Sequence, residues 1–219
     1  MADAIVLVSG GMDSAVAMWH SVHRGLKVIP LSVDYHERPK AEKIAVRRLL
    51  ARAGMGTLIE VPLGFMKEVG DLGSGRGVNP FLRDAPKSYI PARNMVFYSI
   101  AAYYAEVAGA DLIVGGHNQE DPEEFPDSSA RFFGQVNRLL ETGLWSYRTR
   151  PVRIELPLRG KTKVGVLRMG LRLGVPLELT WSCHRDGKRH CGRCSSCIER
   201  REAFAKAGVD DPALGGKAK

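Results

Sequence analysis

The stretch AIVLVSGGMDS, residues 4–14, decides the fold, because an apolar run passes directly into two adjacent glycines and then into a helix-like segment. Adjacent glycines let the backbone approach an anion closely, and a following helix points its unpaired N–H groups and the positive end of its dipole at the same place. The pattern therefore predicts a phosphate-binding turn. The alternative interpretation is an ordinary strand-to-helix turn that needs two glycines.

The turn differs from two common nucleotide-binding loops. It has no Gly-Lys-Ser/Thr of the Walker type, and its glycine spacing is not that of the Gly-x-Gly-x-x-Gly dinucleotide fingerprint. A loop without the lysine that holds the β- and γ-phosphates suits retention of pyrophosphate while an acceptor attacks the α-phosphate. The sequence thus favours adenylyl transfer with release of AMP.

The residues of this turn have distinct expected roles. We expect the serines and glycines to present hydroxyl and backbone donors to phosphates, and Asp13 to hold Mg²⁺ or to cap the helix. The residues predicted to bind ATP are Val8, Ser9, Gly10, Gly11, Met12, Asp13, Ser14, Ala15 and Val16.

Apolar strand-like runs alternate with helical patterns along the chain, which predicts an α/β fold with a doubly wound parallel sheet. The predicted strands are 4–8, 28–33, 57–61, 112–114 and 150–156, and the predicted helices are 14–24, 39–53, 95–108, 129–141 and 161–173. A segment rich in glycine and proline at 64–91 reads as a functional or mobile loop.

Ligands of such sheets bind beyond the carboxyl ends of the strands. The phosphate turn, the segment 34–36, the polar acidic loop 115–127 and the loop before Lys161 all fall at these ends. We therefore expect four separate segments to meet at one cleft.

All four cysteines fall at 183–197, in the pattern Cys-x7-Cys-Gly-x-Cys-x-x-Cys. This is metal-ligand spacing, and a tetrahedral Zn²⁺ is the favoured occupant of Cys183, Cys191, Cys194 and Cys197. Two alternatives stay open, namely two disulfides, which a cytoplasmic enzyme seldom keeps, and an iron–sulfur cluster. His184 or His190 can also replace one cysteine as a ligand. A site closed by four protein ligands is structural.

Length and composition fit one enzyme domain with a small appended module. We predict an ATP-binding catalytic domain at 1–180, a four-cysteine zinc-binding region with a closing helix at 181–210, and a disordered tail at 211–219. No segment resembles a membrane span or a signal peptide, so a cytoplasmic protein is expected. The net charge of +8 suggests anionic ligands, and small nucleotides explain it without direct nucleic-acid binding.

Taken together, these signals resemble the 7-cyano-7-deazaguanine synthases, the QueC/ExsB family of PP-loop ATP pyrophosphatases in queuosine biosynthesis. The resemblance covers nearly the whole chain. It rests on the motifs SGGMDS at 9–14, YIPARN at 89–94, FPD at 125–127, Lys163, and the cysteine pattern at 183–197.

The resemblance implies a ligase that makes first an amide and then a nitrile. ATP adenylates the carboxylate of 7-carboxy-7-deazaguanine, ammonia displaces AMP, and a second ATP activates the amide oxygen so that loss of AMP leaves 7-cyano-7-deazaguanine. The family further implies Mg²⁺ with ATP, a structural Zn²⁺, small-molecule substrates and a homodimer, without a nucleic-acid or membrane partner.

The resemblance also implies roles for particular residues. Asp13, Arg93 and Lys163 are the expected catalytic residues, Arg93 as a bidentate partner of the carboxylate or α-phosphate and Lys163 as a neutraliser of charge on the α-phosphate. The expected substrate-binding residues are Tyr35, Arg93, Asn94, Phe125 and Asp127.

Each of these residues also has a structural alternative. Arg93 can form a surface or helix-capping ion pair, and Lys163 can be a solvated lysine. Asn94 can cap a helix that begins near Met95. Asp127 can cap the N-terminus of the next helix, just before Ser129, and Phe125 can belong to the core.

Two other functions stay open at this point. A PP-loop tRNA thiolase shares the adenylation chemistry, but it usually needs a cysteine to carry sulfur near the cleft, whereas here the metal cluster takes all four. A non-catalytic nucleotide-binding zinc protein is the third hypothesis, and the charged groups expected around the cleft argue against it.

Overall fold

The computed structural model describes residues 3–35, 38–72, 79–121 and 125–214. Within this part of the chain, five parallel strands form one sheet in the order β3-β2-β1-β4-β5. Their bounds are Asp3–Leu7 (β1), Lys27–Tyr35 (β2), Ile59–Leu63 (β3), Leu112–Val114 (β4) and Arg153–Glu155 (β5).

The central strand β1 is apolar on both faces, as a sheet covered on both sides requires. Val6 lies opposite Pro30 of β2 and Val114 of β4, and both Ile5 and Val6 are fully buried. The continuous apolar run in the sequence therefore reflects burial on two faces.

Helices cover both faces of the sheet in the described residues. The helices are Met12–His23 (α1), Lys40–Arg52 (α2), Val69–Leu72 (α3), Arg93–Ala108 (α4), Ala130–Gly143 (α5), Lys163–Arg172 (α6) and Ser195–Ala207 (α7). Helices α1, α2, α6 and α7 contribute to the core on one face, and α4 and α5 to the core on the other. The predicted doubly wound parallel sheet is confirmed.

Most predicted elements are present with shifted ends. Strand β2 runs on to Tyr35, and because Leu63 pairs with Tyr35 the third strand is displaced towards the carboxyl end as well. Helix α4 begins at Arg93 instead of 95, since the Asp127 carboxylate accepts the N–H of Asn94 and so satisfies the first turn. The short helix α3 falls inside the segment predicted as a loop.

The cysteine segment leads into α7, which packs against α6 and contributes Ala203 and Phe204 to the core on the α1 face. Beyond α7, Asp211 is buried against Arg200. Residues 215–219 of the predicted tail lie outside the described residues. In the described part of the chain, no helix has the length and apolar character that crossing a membrane requires.

Candidate active site

The phosphate turn between β1 and α1 depends on glycine. Gly10 has φ +86°, and a Cβ there would lie 2.6 Å from the carbonyl oxygen of Glu42. The Ser14 hydroxyl accepts a hydrogen bond from the N–H of Ser9 at 3.1 Å and donates to the carbonyl of Gly11. No side chain caps the N-terminus of α1 at Gly11, so its first N–H groups are oriented towards an incoming anion.

A buried arginine holds the turn from behind. The Arg38 guanidinium donates to the carbonyl oxygens of Ser9 and Val33 and to the carboxylate of Glu42, the last at 2.8 Å. Arg38 is 6% exposed and sequence reasoning did not assign it a role. Nothing in the local pattern indicates its contact with Ser9, because the partners come together only when β2 pairs with β1.

The cysteine segment also contacts the turn. The backbone N–H of Trp181 donates to the Gly10 carbonyl at 2.8 Å, and the Trp181 indole N–H donates to the Cys183 carbonyl at 2.8 Å. The His190 ring stacks on Trp181 with 4.4 Å between centroids. The cysteine segment and the phosphate turn are therefore one connected structure.

Asp13 and Lys163 meet at the mouth of the turn. The Lys163 ammonium lies 2.9 Å from Asp13 Oδ2, which also accepts from the Asn118 amide at 3.0 Å. Burial alone would lower the pKa of Lys163, but the Asp13 charge and hydrogen bond, with Glu199 at 3.6 Å, raise it, so the lysine stays charged. The other oxygen, Asp13 Oδ1, is buried without a hydrogen-bond partner.

The loop after β4 packs directly on the turn. A Cβ at Gly116 would lie 2.9 Å from the backbone nitrogen of Ser14, so this contact needs a glycine. Asn118 is 4% exposed, and its N–H donates to Asp121 Oδ2 at 2.9 Å. Sequence reasoning predicted that this loop reaches the cleft but did not single out Gly116, Asn118 or Asp121. An Asn–Asp pair after a buried strand was the available signal.

These segments enclose an open cavity of about 310 Å³ at the carboxyl ends of the strands. The predicted convergence of the turn, the end of β2 and the loop after β4 on one cleft is confirmed. The fourth predicted segment, the loop before Lys161, contributes none of the described lining residues. The residues that line it are Leu7, Val8, Ser9, Asp13, Ser14, Leu31, Val33, Tyr35, Arg38, Glu42, Arg93, Asn94, Phe97, Tyr98, Gly115, Gly116, His117, Asp121, Phe125 and Ser128.

The predicted ATP-binding residues divide into three groups. Val8, Ser9, Asp13 and Ser14 line the cavity. In contrast, the side chains of Met12, Ala15 and Val16 are at most 2% exposed and pack in the core, so only their backbone is available to a ligand. Gly10 and Gly11 shape the turn through their backbone.

Aromatic side chains and a cation also line the cavity. The Arg93 guanidinium lies 5.4 Å from the centroid of the Phe125 ring, and Tyr89 stacks on the same ring with 6.4 Å between centroids. Tyr35 packs beside Phe97, and burial raises the pKa of its hydroxyl, so it is a neutral donor. Three of the predicted substrate residues, Tyr35, Arg93 and Phe125, thus line the cavity.

Asn94 and Asp127 are paired with each other. Asp127 Oδ2 accepts the N–H of Asn94 at 3.0 Å, and the Asn94 amide donates to the Asp127 carbonyl and to the Ser128 hydroxyl, each at 3.0 Å. Asp127 therefore caps α4, whereas Ser129 caps the helix that follows it, α5. Asn94 lines the cavity, and Asp127 is absent from the described lining residues.

The four cysteine thiols converge at one point. Their sulfur atoms all lie within 4.8 Å of one another. Cys191 and Cys197 are separated by 3.9 Å and Cys183 and Cys194 by 4.0 Å. These separations are close to the sulfur–sulfur edge of a tetrahedron around an ion with Zn–S bonds of about 2.3 Å, and far longer than a disulfide bond of about 2.05 Å.

Backbone N–H groups are directed at two of these sulfurs, while burial raises the pKa of Cys183 and Cys197. The N–H groups of Arg185 and Cys191 point at the Cys183 sulfur, each at 3.4 Å. Hydrogen bonds from the N–H groups of Arg193 and Cys194 lower the pKa of Cys191 to about 6. The donor set fits a closed metal site, and the described residues place neither His184 nor His190 in it, since the first bonds Ser196 and the second Ser182.

A parallel sheet with a Ser-Gly-Gly-x-Asp-Ser turn at its carboxyl edge defines the PP-loop class of ATP-dependent enzymes, and this chain adds a four-cysteine cluster to it. The family described as "Queuosine biosynthesis protein QueC" matches residues 3–208. The chain belongs to the QueC family, which confirms the resemblance seen in the sequence.

Curated relatives extend over almost the same length. The 7-cyano-7-deazaguanine synthase of Thermoplasma acidophilum is 36% identical over 214 residues, covering 95% of this chain and 90% of the relative. The enzyme of the same name from Anaeromyxobacter dehalogenans is 37% identical, with 95% and 94% covered. Among solved structures, NMN synthetase from Francisella tularensis matches with a TM-score of 0.50 and 15% identity over 95% of this chain and 78% of that one, which supports the fold alone.

Proposed function

We propose that this protein is a 7-cyano-7-deazaguanine synthase, which uses ATP and ammonia to convert 7-carboxy-7-deazaguanine into the nitrile with release of AMP and diphosphate. The observation that carries the proposal is the Asp13–Lys163 pair at the phosphate turn, beside a cavity that Asp13, Arg93 and Phe125 line. The names of the relatives agree with this activity.

The geometry suggests how adenylation proceeds. The first N–H groups of α1 and the hydroxyls of Ser9 and Ser14 hold the departing diphosphate. Lys163 neutralises charge that develops on the α-phosphate. Arg93 binds the substrate carboxylate bidentately and presents its oxygen to phosphorus, while Phe125 offers a face to the planar base.

Asp13 fits a Mg²⁺ ion that accompanies ATP, because its Oδ1 atom is buried and has no protein partner among the described residues. Such an ion would offset the negative charge of the phosphates. The chain's own contribution is to hold the Asp13 carboxylate in place through Asn118 and Lys163.

We assign a structural Zn²⁺ to the four cysteines, within a cysteine region at 181–210 that follows a catalytic region at 1–180. Support comes from the tetrahedral spacing of the sulfurs and from the N–H groups directed at them. Metal analysis of the purified protein should find one zinc per chain. Iron with visible absorbance would contradict this assignment.

The direct test supplies the purified protein with 7-carboxy-7-deazaguanine, ATP, Mg²⁺ and ammonium and follows the products by mass spectrometry. We expect the nitrile together with AMP. ADP as the sole nucleotide product, or ATP that binds and is never consumed, would refute the proposal. We expect this reaction in the cytoplasm, where four unpaired thiols persist.

Replacement of the carboxylate at the turn tests the same proposal. Asp13→Ala should abolish AMP formation, because it removes the Mg²⁺ ligand and the partner of Lys163. The control is Asp3→Ala, which removes an ion pair with Lys27 at the opposite end of β1. Full AMP formation by Asp13→Ala would exclude the role given to this carboxylate.

A tRNA thiolase is less well supported. All four cysteines of the chain lie in the cluster, so none remains to carry sulfur at the cavity. A reactive thiol in zinc-loaded protein would favour that function instead.

A further inference from the structure

The proposed reaction requires a base inside the cavity. When the amide oxygen attacks the α-phosphorus of the second ATP, diphosphate leaves and one proton is lost from the amide nitrogen. The remaining N–H bond then breaks as the nitrogen forms its third bond to carbon and the C–O bond to AMP opens. Two protons therefore leave the nitrogen in this half of the reaction. Adenylation of the starting carboxylate loses none, and displacement of AMP by ammonia releases one proton, which excess ammonia in solution accepts.

Acidic side chains at the cavity are engaged elsewhere. Asp13 Oδ2 is bound by Lys163 and Asn118, and Glu42 lies 2.8 Å from the guanidinium of Arg38. Burial raises the pKa of Glu42, but its carboxylate is held by the Arg38 guanidinium behind the phosphate turn. The lining residues that the structure describes include one imidazole, that of His117. Imidazole accepts and releases protons near neutral pH.

The His117 ring has a fixed orientation. It packs against the rings of Tyr98 and Phe133, with centroids 5.8 Å and 5.0 Å away. Its Nδ1 atom faces Asp121 Oδ2 at 3.6 Å. In the part of the chain that the structure describes, no residue is hydrogen-bonded to its other nitrogen, Nε2.

Asp121 is held as a charged partner for this ring. Burial alone would raise its pKa, but hydrogen bonds from His117 and from the N–H of Asn118, with the charge of Lys163, lower it. A carboxylate at Nδ1 fixes the tautomer that leaves Nε2 as the acceptor and stabilises the imidazolium that forms. The side chain of His117 is 16% exposed, which lets it return each proton to solvent.

We propose that His117, oriented by Asp121, is the general base that removes the two N–H protons when the amide becomes the nitrile. The inference rests on the proposed function and adds a catalytic residue and a positioning residue to it. His117 acts on the nitrogen, whereas Asp13, Lys163 and Arg93 act on the phosphates and the carboxylate. Both adenylation steps use Asp13 and Lys163, whereas only the conversion of the amide to the nitrile uses His117.

The test separates the step that loses N–H protons from the step that does not. The first measurement is the rate at which labelled diphosphate exchanges into ATP, with 7-carboxy-7-deazaguanine present and ammonia absent. In the full-length, zinc-loaded protein, His117→Gln should keep this exchange rate within about twofold of wild type. Nitrile formation from the supplied amide should fall about 100-fold or more, the usual contribution of a general base. Reactions started from the acid should then accumulate the amide.

The ratio of amide to nitrile does not depend on how much of the variant is folded. Asp121→Asn should raise this ratio by a smaller factor, and His23→Gln, the same change at an exposed histidine of α1, should not alter it. Nitrile formation near the wild-type rate, or equal loss of exchange and nitrile formation, would overturn the role of His117. If wild-type protein makes no nitrile, the proposed function fails, and this inference fails with it.

Discussion

At the scale of single residues, the contact of Lys163 with Asp13 links the start of α6 to the start of α1. We expect Lys163→Ala to lower turnover by at least 100-fold and to change ATP affinity by less than about threefold, because the ammonium acts on charge that develops in the transition state. Steady-state kinetics and equilibrium ATP binding measure the two effects.

The control for Lys163→Ala is Lys206→Ala, which removes an exposed ion pair with Glu202. It should leave both quantities unchanged. An unchanged turnover in Lys163→Ala would exclude an electrostatic role for this lysine.

Gly116 allows the loop after β4 to touch the phosphate turn. A methyl group there would come within 2.9 Å of the Ser14 nitrogen, which is backbone and cannot yield without moving the turn. Gly116→Ala should therefore weaken ATP binding by about tenfold or more. Gly134→Ala is the control, since a Cβ at this position in α5 meets no atom within 4 Å, and it should slightly stabilise the protein. Calorimetry of ATP binding distinguishes the two variants.

At the scale of elements, N-terminal caps decide where two helices begin. The Thr162 hydroxyl accepts the N–H of Gly165 at 3.2 Å, and Ser129 does the same for Phe132 at 3.2 Å. Thr162→Ala and Ser129→Ala should each lower the free energy of unfolding by about 1 kcal/mol.

Only the first of these changes should also slow catalysis, because Lys163 follows the cap of α6 directly, whereas no residue of α5 lines the cavity. Denaturant titration and turnover measured on the same samples test this. Equal loss of turnover in both variants would show that the caps act through stability alone.

The sequence predicted most elements because their patterns are local. Apolar runs mark the strands, and apolar residues at helical spacing mark the helices, so neighbouring residues carry the signal. The ends depend on partners far along the chain: α4 begins early because Asp127, 33 residues beyond Asn94, caps it. No local pattern carries that information.

At the scale of the whole molecule, a buried ion pair joins α7 to the C-terminal segment. The Arg200 side chain is fully buried, with its guanidinium 2.6 Å from Asp211 and 2.6 Å from the Thr180 hydroxyl. Arg200→Met should lower the free energy of unfolding by about 3–5 kcal/mol, because Asp211 remains buried without its cation.

The comparison for this variant is Lys206→Met on the same helix, where the pair with Glu202 is exposed. It should change stability by less than about 1 kcal/mol. Chemical denaturation followed by circular dichroism measures both. A small effect at Arg200 would mean that the C-terminal segment contributes little to the fold.

The outer face of α4 is apolar, with Met95, Tyr103 and Val107 exposed by 56%, 62% and 67%. Such a face is typical of an interface, and we expect a homodimer in solution. Light scattering during size-exclusion chromatography measures the mass. Tyr103→Glu should shift it towards the monomer, whereas a monomeric wild-type protein would exclude the dimer.

By itself the sequence determined the class of fold, the phosphate turn and the four clustered thiols, because adjacent or closely spaced residues encode each of them. Tertiary structure decided what faces the cavity. It turned Met12, Ala15 and Val16 into the core, paired Asp127 with α4, and brought Arg38 and His117 to the site. These outcomes depend on which strands pair and which loops meet, and long-range packing fixes both the pairing and the contacts.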